Sequence, residues 1–260
     1  MSDESTFDDK PSADPPVEPD PVLALVTGGA RRLGADMVRA LVAEGFDVAF
    51  SYHRSAEAAE ELVEELAVTG AQVGAFETDL RSATAIDGLV EAVEADFGPI
   101  GLLVNNAGVM IPGDVEHTGE ADFDAHVALN LRAPYLLSLA VGRRMRERGE
   151  GSIVNVASTG GLRPYAQHMT YSISKAGLLM ATKTLALALA PEVTVNAIAP
   201  GVLWLDEGDD DAMARPNAER IPMRQYGEAD DVADALLYLA TAPYVTGQVV
   251  CVDGGWTLKG

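Results

Sequence analysis

The stretch "LALVTGGARRLGADM" (residues 23–37) decides the fold. Its apolar beginning is typical of a buried strand, its glycines of a tight turn, and its last part of a helix. A strand, a glycine turn and a helix in this order are typical of a dinucleotide-binding site. Arg32 stands where such a turn usually carries its second glycine. The arginine therefore either breaks the site or takes part in binding.

The rest of the chain from Pro21 continues the alternation of strand and helix patterns. Strands are predicted at about residues 22–27, 47–53, 71–79, 101–108, 151–158, 192–201 and 247–255, and helices at about 32–44, 55–70, 82–97, 120–148, 169–189 and 228–240. This regularity predicts one α/β domain over residues 21–260: a Rossmann-type, doubly wound parallel sheet with helices on both faces. Ligands of such sheets bind beyond the carboxyl ends of the strands, so the residues that close each strand are the informative ones.

The composition is strongly acidic. The 260 residues carry a formal net charge of −22, which should repel nucleic acid and anionic membrane surfaces. Only four of the 18 basic residues are lysines: Lys10, Lys175, Lys183 and Lys259. A carboxylate-rich, lysine-poor surface suggests a halophilic protein from a salt-rich cytoplasm, because high ionic strength screens self-repulsion. An ordinary acidic protein with an acidic tail is the alternative.

The first 20 residues are rich in acids and prolines and contain a single aromatic residue, Phe7. Such a segment cannot bury enough surface to order itself, so residues 1–20 are predicted to be a disordered acidic tail. Cys251 is the only cysteine, which excludes an internal disulfide. The start lacks the pattern of a signal peptide, and no apolar run has spanning length. We therefore expect a cytoplasmic protein without a membrane segment.

Catalytic chemistry is indicated by Tyr171 and Lys175 in "YSISK", at the start of a predicted helix. Residues four apart on a helix face the same way, so the lysine ammonium can lie near the phenol and near a bound ribose. The lysine would then lower the pKa of the tyrosine, in a water-poor cleft, for acid–base work. Ser158 ends a strand where its hydroxyl could bond a substrate carbonyl. Asn130, polar within an apolar stretch, could hold a water that links Lys175 to solvent.

Each of these features also has a simpler interpretation. Tyr171 and Lys175 could be a pair on a helix surface, and Ser158 could only cap a strand end. Asn130 could be a core amide with its hydrogen bonds satisfied. The stretch "NNAG" (residues 105–108) could be a simple turn.

Taken together, the glycine turn, "NNAG", Ser158, Tyr-x-x-x-Lys and "APG" (residues 199–201) resemble the short-chain dehydrogenase/reductases over residues 21–260. The resemblance implies hydride transfer with NAD(P)H. Tyr171 would donate the proton, Lys175 would lower its pKa and bind the ribose, Ser158 would orient the carbonyl, and Asn130 would complete a proton relay. It also implies cofactor contacts from the glycine turn, the strand ends and the catalytic helix, at Gly28, Arg31, Arg32, Leu33, Gly34, Asp79, Leu80, Asn106, Ala107, Gly108, Tyr171, Lys175, Pro200 and Gly201.

The end of the second predicted strand indicates which cofactor is used. NAD enzymes of this fold carry an acid there that binds the ribose 2′-hydroxyl, but this strand ends in His53, Arg54 and Ser55. These side chains suit the 2′-phosphate of NADP(H), and Arg32 and Arg31 would add guanidinium groups beside it. Arg32 is thus interpreted as part of an NADPH site, with glycines at 28 and 34 still permitting the turn.

The turn "TGGARRLG" and the stretch "SYHRSAEAAEEL" are similar to the pteridine reductase branch of that family. The chain departs from that branch at Ser158, where its best-known members have aspartate. It also has Gly108, Val109 and Met110 where the branch often has a stacking aromatic residue.

The substrate is therefore open from sequence. A ketone or 3-oxoacyl substrate is favoured, with a dihydropterin or dihydrofolate as the alternative and a non-catalytic NADP-binding regulator as an alternative of another class. No zinc site is expected, because His53, His117, His126 and His168 lack suitable spacing. The resemblance implies that the charged stretch at residues 203–225 forms a flexible wall over the substrate site. Met110, Tyr165, Met169 and Trp204 are candidate substrate neighbours, with plain packing as the alternative for each. The resemblance also implies a homo-oligomer, either a dimer or a tetramer.

Overall fold

The computed structural model describes residues 21–204 and 217–259. Within these ranges seven strands pair in parallel in the order β3-β2-β1-β4-β5-β6-β7. The strands are β1 (Leu23–Thr27), β2 (Asp47–Tyr52), β3 (Val73–Glu77), β4 (Ile100–Asn105), β5 (Gly151–Val156), β6 (Val193–Pro200) and β7 (Val249–Val252). The longer helices are α1 (Arg32–Ala43), α2 (Ala56–Leu66), α3 (Ala83–Phe97), α4 (Glu120–Val127), α5 (Ala133–Arg148), α6 (Met169–Leu189) and α7 (Ala229–Thr241). The predicted Rossmann-type α/β fold is confirmed.

Two separate apolar cores lie on the two faces of the sheet. Successive side chains of a strand point to opposite faces, so Val26 joins the core under α1 and α7 while Leu25 joins the core under α3, α5 and α6. Both side chains are completely buried. A strand buried on both faces requires an uninterrupted apolar sequence, which "LALVT" provides.

The order of the strands reverses at β1, which pairs with β2 on one side and with β4 on the other. Connections therefore leave the carboxyl ends of β1 and β4 in opposite directions and open a crevice between them, where ligands of such sheets bind. In the described ranges, every helix is too short or too polar to span a bilayer.

The predicted helix from about residue 120 to 148 is helical along its whole length, with one irregularity that the apolar pattern did not predict. A π-helical turn, Ala128–Arg132, separates α4 from α5. Pro134 has no backbone N–H, so it cannot donate to the carbonyl of Asn130 four residues earlier. The helix widens where that bond is missing, and such bulges often mark functional sites. The predicted tail, residues 1–20, and most of the predicted charged wall, residues 205–216, lie outside the described residues.

Candidate active site

The glycine turn between β1 and α1 is closely packed. Gly28 has a φ of +64°, in the left-handed region that favours glycine. A Cβ built on Gly34 would lie 2.1 Å from the carbonyl oxygen of Gly28, so α1 can approach the turn only with glycine there. Arg32 has a φ of +53°, which lies in the same left-handed region that favours glycine. The Arg32 side chain is exposed. Leu33 follows it and is partly buried.

The "NNAG" stretch at the end of β4 holds this turn in place. The Thr27 hydroxyl oxygen accepts hydrogen bonds from the backbone N–H groups of Asn106 (2.9 Å) and Ala107 (3.0 Å). The Asn106 side chain donates to the carbonyls of Thr27 (2.9 Å) and Gly28 (3.2 Å). Asn106 thus shapes the turn through its side-chain amide, and "NNAG" is more than a simple turn.

The basic residues singled out in the sequence lie on the same side of the turn. Strand pairing places Thr27 beside Ser51, and the Gly29 N–H donates to the Ser51 carbonyl at 3.0 Å. The chain beyond β2 therefore emerges next to the glycine turn. Arg31, Arg32, His53 and Arg54 are exposed there, and Ser55 stands at the N-terminus of α2, where backbone N–H groups favour an anion.

At the end of β3, Arg81 binds both carboxylate oxygens of Asp79 at 2.8 Å. This pairing holds the pKa of the Asp79 carboxyl well below its ordinary value. Leu80, the next residue, is buried. At the opposite end of the strand order, beyond β6, the Gly201 N–H donates to the Val252 carbonyl at 2.8 Å. This bond fixes the bend after Pro200.

Ser158 and Tyr171 are brought together beyond the carboxyl end of β5. The Ser158 hydroxyl accepts a hydrogen bond from the backbone N–H of Gly160 at 3.0 Å, and it lies near enough to the Tyr171 phenol to lower the pKa of the tyrosine. The serine is therefore both the cap of a short 3₁₀ turn and a neighbour of the tyrosine. Thr159 and Tyr165, whose hydroxyls lie 2.7 Å apart, close the same corner.

Lys175 is buried one helical turn beyond Tyr171. Its ammonium lies 5.8 Å from the centroid of the tyrosine ring. Burial lowers the pKa of Lys175 to about 8 and raises that of Tyr171 to about 12, because a charged group loses its hydration there. Lys175 is not among the groups that shift the Tyr171 pKa here, so the expectation that the lysine lowers it, together with the bound cofactor, stays a prediction.

Asn130 is a fully buried amide whose bonds are made within the protein. Its Nδ2 donates to the Val109 carbonyl at 2.8 Å and lies 3.1 Å from the Ser174 hydroxyl, while its Oδ1 accepts from the Val109 N–H at 2.8 Å. The amide nitrogen thus uses both of its hydrogens within the protein, while the second lone pair of Oδ1 is left for the predicted water, and the proton relay stays a prediction. A Cβ built on Gly108 would lie 3.2 Å from Oδ1 and 3.6 Å from the Lys175 Nζ, so Asn130 borders the lysine.

Sequence reasoning missed His126 and His168, which it considered only as zinc ligands. Both are buried, and both contact the backbone of Ile111. His126 is the one buried residue of α4 and His168 lies directly before α6, so no local pattern of the sequence marked either of them. In residues 21–204 and 217–259 no group of three or more His, Cys, Asp or Glu side chains is placed to hold a metal ion.

The four residues predicted as candidate substrate neighbours lie in different segments of the chain. Met110 is partly exposed after the "NNAG" stretch, and Tyr165 packs edge-on against His168 with ring centroids 6.4 Å apart. Trp204 stacks on Tyr226 with ring centroids 5.9 Å apart. Met169 begins α6.

Comparisons with known proteins agree with this arrangement. A family model described as enoyl-(acyl carrier protein) reductase matches residues 28–257. The 3-oxoacyl-[acyl-carrier-protein] reductase of Synechocystis is 35% identical over 91% of this chain and 97% of its own length.

Two solved structures are similar across the whole fold. A blue fluorescent protein from a metagenomic library, crystallised in complex with NADPH, has a TM-score of 0.84 and 33% identity over 90% of this chain and 97% of its own. A short-chain dehydrogenase/reductase from Serratia marcescens has a TM-score of 0.85 and 33% identity over 92% and 100%. This chain belongs to the short-chain dehydrogenase/reductase family of oxidoreductases.

Proposed function

We propose that this protein is an NADPH-dependent reductase of carbonyl compounds in which Tyr171 donates the proton. The observation that carries the proposal is the meeting of three side chains: the Lys175 ammonium lies 5.8 Å from the centroid of the Tyr171 ring, and the Ser158 hydroxyl lies near the phenol. A hydroxyl pair that faces the crevice can receive one carbonyl oxygen from two directions, which fixes the position of that oxygen.

The residues around the glycine turn fit NADPH. Gly34 lets the N-terminus of α1 pack close to the glycine turn, where its N–H groups can bind a pyrophosphate. A side chain at position 34 would collide with the Gly28 carbonyl. Exposed cationic groups in a protein of net charge −22 are scarce, and four of its basic or histidine side chains meet at this corner. They suit the 2′-phosphate of NADPH, with the residues predicted at the strand ends completing the site: Leu33, Ser55, Asp79, Leu80, Asn106, Ala107, Gly108, Pro200 and Gly201.

In the proposed reaction, bound NADPH supplies the hydride to the carbonyl carbon. The Ser158 hydroxyl donates a hydrogen bond to the carbonyl oxygen and orients it. Tyr171 gives its proton to that oxygen as negative charge develops there. With a pKa near 12 the phenol is fully protonated at neutral pH, and it is still a far stronger acid than the product alcohol. Lys175 stays mostly cationic at pH 7 and stabilises the phenolate that remains.

The substrate class proposed is a ketone or 3-oxoacyl compound, because a relative at 35% identity is named a 3-oxoacyl-[acyl-carrier-protein] reductase. A second candidate is a dihydropterin, favoured by the arginine at position 32 of the turn. Met110 supplies no aromatic ring to stack on a pterin, which favours the carbonyl.

The test is NADPH oxidation by the purified protein in molar salt, with 3-oxoacyl thioesters, simple ketones, dihydropterin and dihydrofolate as substrates and NADH for comparison. Tyr171→Phe should lose turnover and keep NADPH binding, and Tyr244→Phe, which alters a fully exposed tyrosine, is the control. Turnover on pterins alone would replace the carbonyl proposal with the second candidate. Binding of NADPH without turnover on any compound would support the non-catalytic regulator.

Three further expectations stay predictions: a homo-oligomeric state, a cytoplasmic location and adaptation to high salt. The last is supported by the net charge and by the low lysine count.

A further inference from the structure

The five residues after Gly108 form the substrate-side loop (Val109–Gly113). The loop starts beside the catalytic lysine, since a Cβ on Gly108 would lie 3.6 Å from the Lys175 Nζ. It continues the chain beyond the carboxyl end of β4, at the edge of the crevice where the substrate must enter.

Alternate residues of this loop are anchored through their backbone. At one end, Asn130 bonds both the N–H and the carbonyl of Val109 at 2.8 Å. At the other end, the Gly113 N–H donates to the Gln167 carbonyl at 2.8 Å. An extended segment presents the backbone groups of alternate residues to the same side, so the centre of the loop, Ile111, faces the same wall of helices.

His126 of α4 binds the N–H of Ile111. Its Nε2 lies 3.0 Å from that nitrogen, and because a backbone N–H can only donate, Nε2 is the acceptor. The ring proton is then on Nδ1, which faces the Asp122 carbonyl at 2.7 Å and the Thr170 hydroxyl at 2.9 Å. The ring also packs edge-on against Tyr171, with centroids 6.1 Å apart.

His168, just before α6, lies on the other side of Ile111. Its imidazole is close enough to the Ile111 backbone for that backbone to favour the charged form of the ring. Among the described residues, the buried Nδ1 atom of His168 has no hydrogen-bond partner. One backbone unit of the loop thus lies between two buried histidines from two different elements.

We propose that His126 and His168 are positioning residues that clamp Ile111 and make the substrate-side loop a rigid wall of the substrate site. We call this pair the histidine clamp. The loop cannot move away from α4 without leaving the Nε2 atom of the buried His126 unpaired, which is costly. The clamp also fixes Met110 and Pro112 relative to Tyr171, since His126 contacts both the loop and the tyrosine ring.

This inference rests on the proposed function, and its first test is kinetic. His126→Leu keeps a similar volume and removes all three hydrogen-bond contacts of the ring, while His126→Gln keeps an acceptor near the Nε2 position. We expect the leucine variant to raise KM for the carbonyl substrate about tenfold and the Kd for NADPH to stay within about twofold, because a displaced wall misplaces only the substrate. The glutamine variant should restore most of the loss. His117→Gln is the control, since His117 is exposed and pairs with Asp114.

The second test is amide hydrogen exchange of residues 107–114, which needs no turnover. The Ile111 amide should exchange at least about tenfold faster in His126→Leu than in the unmodified protein. In His117→Gln its exchange rate should be unchanged. His168→Leu removes the other half of the histidine clamp, so it still tests the proposal if His126→Leu does not fold. It should raise KM and speed exchange in the same segment.

The proposal is overturned if either folded leucine variant exchanges like the unmodified protein, or if His126→Gln and His126→Leu have the same KM. If the unmodified protein reduces none of the carbonyls, the proposed function fails separately, and the exchange of Ile111 still decides whether the histidine clamp exists.

Discussion

The Lys175 ammonium donates a 2.8 Å hydrogen bond to the backbone carbonyl of Val156. This bond ties the catalytic helix to the last residue of β5, directly before the segment that carries Ser158. It is a bond to a neutral acceptor, so it only partly replaces the hydration that the buried ammonium has lost.

The first prediction follows from that burial. The pKa of Lys175 is about 8 in the folded protein and about 10.5 when unfolded, so the unfolded chain binds more protons between these values. The free energy of unfolding must therefore rise with pH across this window. The cost of burying the charged ammonium is fully present below about pH 8. We expect the free energy of unfolding to gain about 2 kcal/mol between about pH 7.5 and about pH 10. Above about pH 10 the raised pKa of Tyr171 acts in the opposite direction and lowers stability.

The measurement is urea denaturation at both pH values in constant salt. Lys175→Met should lose the gain, and Lys183→Met, on the exposed side of the same helix, should keep it. An equal pH dependence in all three proteins would contradict the assignment of the gain to Lys175.

The second prediction concerns the backbone of Arg32. Arg32 and Arg224 are the two residues other than glycine with positive φ in the described ranges. Arg32→Gly and Arg224→Gly should each relieve up to about 1 kcal/mol of strain, because glycine adopts this conformation freely. Only Arg32→Gly should reduce the preference for NADPH over NADH, by about tenfold, because it alone removes a charge beside the proposed phosphate site. Binding titrations with both cofactors check this, and equal preferences in the two variants would refute the role of Arg32.

The third prediction compares two helical glycines. A Cβ at Gly34 would meet the Gly28 carbonyl at 2.1 Å, whereas a Cβ at Gly88 in α3 would meet nothing within 4 Å. Gly34→Ala should therefore displace α1 and abolish cofactor binding, while Gly88→Ala should stabilise the protein by roughly 0.5–1 kcal/mol. Thermal unfolding with and without NADPH tests both. A Gly34→Ala protein that binds NADPH normally would show that α1 can move away from the glycine turn without loss of the cofactor site.

The fourth prediction separates structure from positioning at Asn130. Asn196 is an equally buried amide that binds the Val245 carbonyl at 2.7 Å and the Gln248 N–H at 3.0 Å. Replacing either asparagine by leucine should cost about 1–3 kcal/mol, because backbone groups lose their partners. Only Asn130→Leu should also lower kcat, by at least about tenfold, since its loss frees the loop beside Lys175. Matched losses of kcat in the two variants would mean that Asn130 has no particular role at the site.

Much of the fold could be predicted because its signals are local. The helix at Met169–Leu189 has the bounds that its apolar pattern predicts, and the strand ends carry the residues that the motifs indicate. The spacing of Tyr171 and Lys175 also fixes their common face without knowledge of any other element.

The rest depends on contacts between distant parts of the chain. Ile111, His126 and His168 meet only after β4, α4 and α6 have packed together, so no short stretch of sequence reveals the histidine clamp. The pKa shifts of Tyr171 and Lys175 likewise depend on how much water each side chain loses on folding, which no local pattern reveals. The π-helical turn was foreseeable from Pro134 but was missed, because the apolar pattern continues through it.

The two bonds from Asn106 and Ala107 to the Thr27 hydroxyl join residues 79 and 80 positions apart. Contacts of such long separation form late, because a large loop must close before they bring any gain. A nascent chain that has only β1, β2 and β3 therefore holds the glycine turn without the partner that shapes it. The proposed nucleotide site is therefore complete only once β4 has paired with β1, so nucleotide binding by this protein would report that both halves of the sheet have joined.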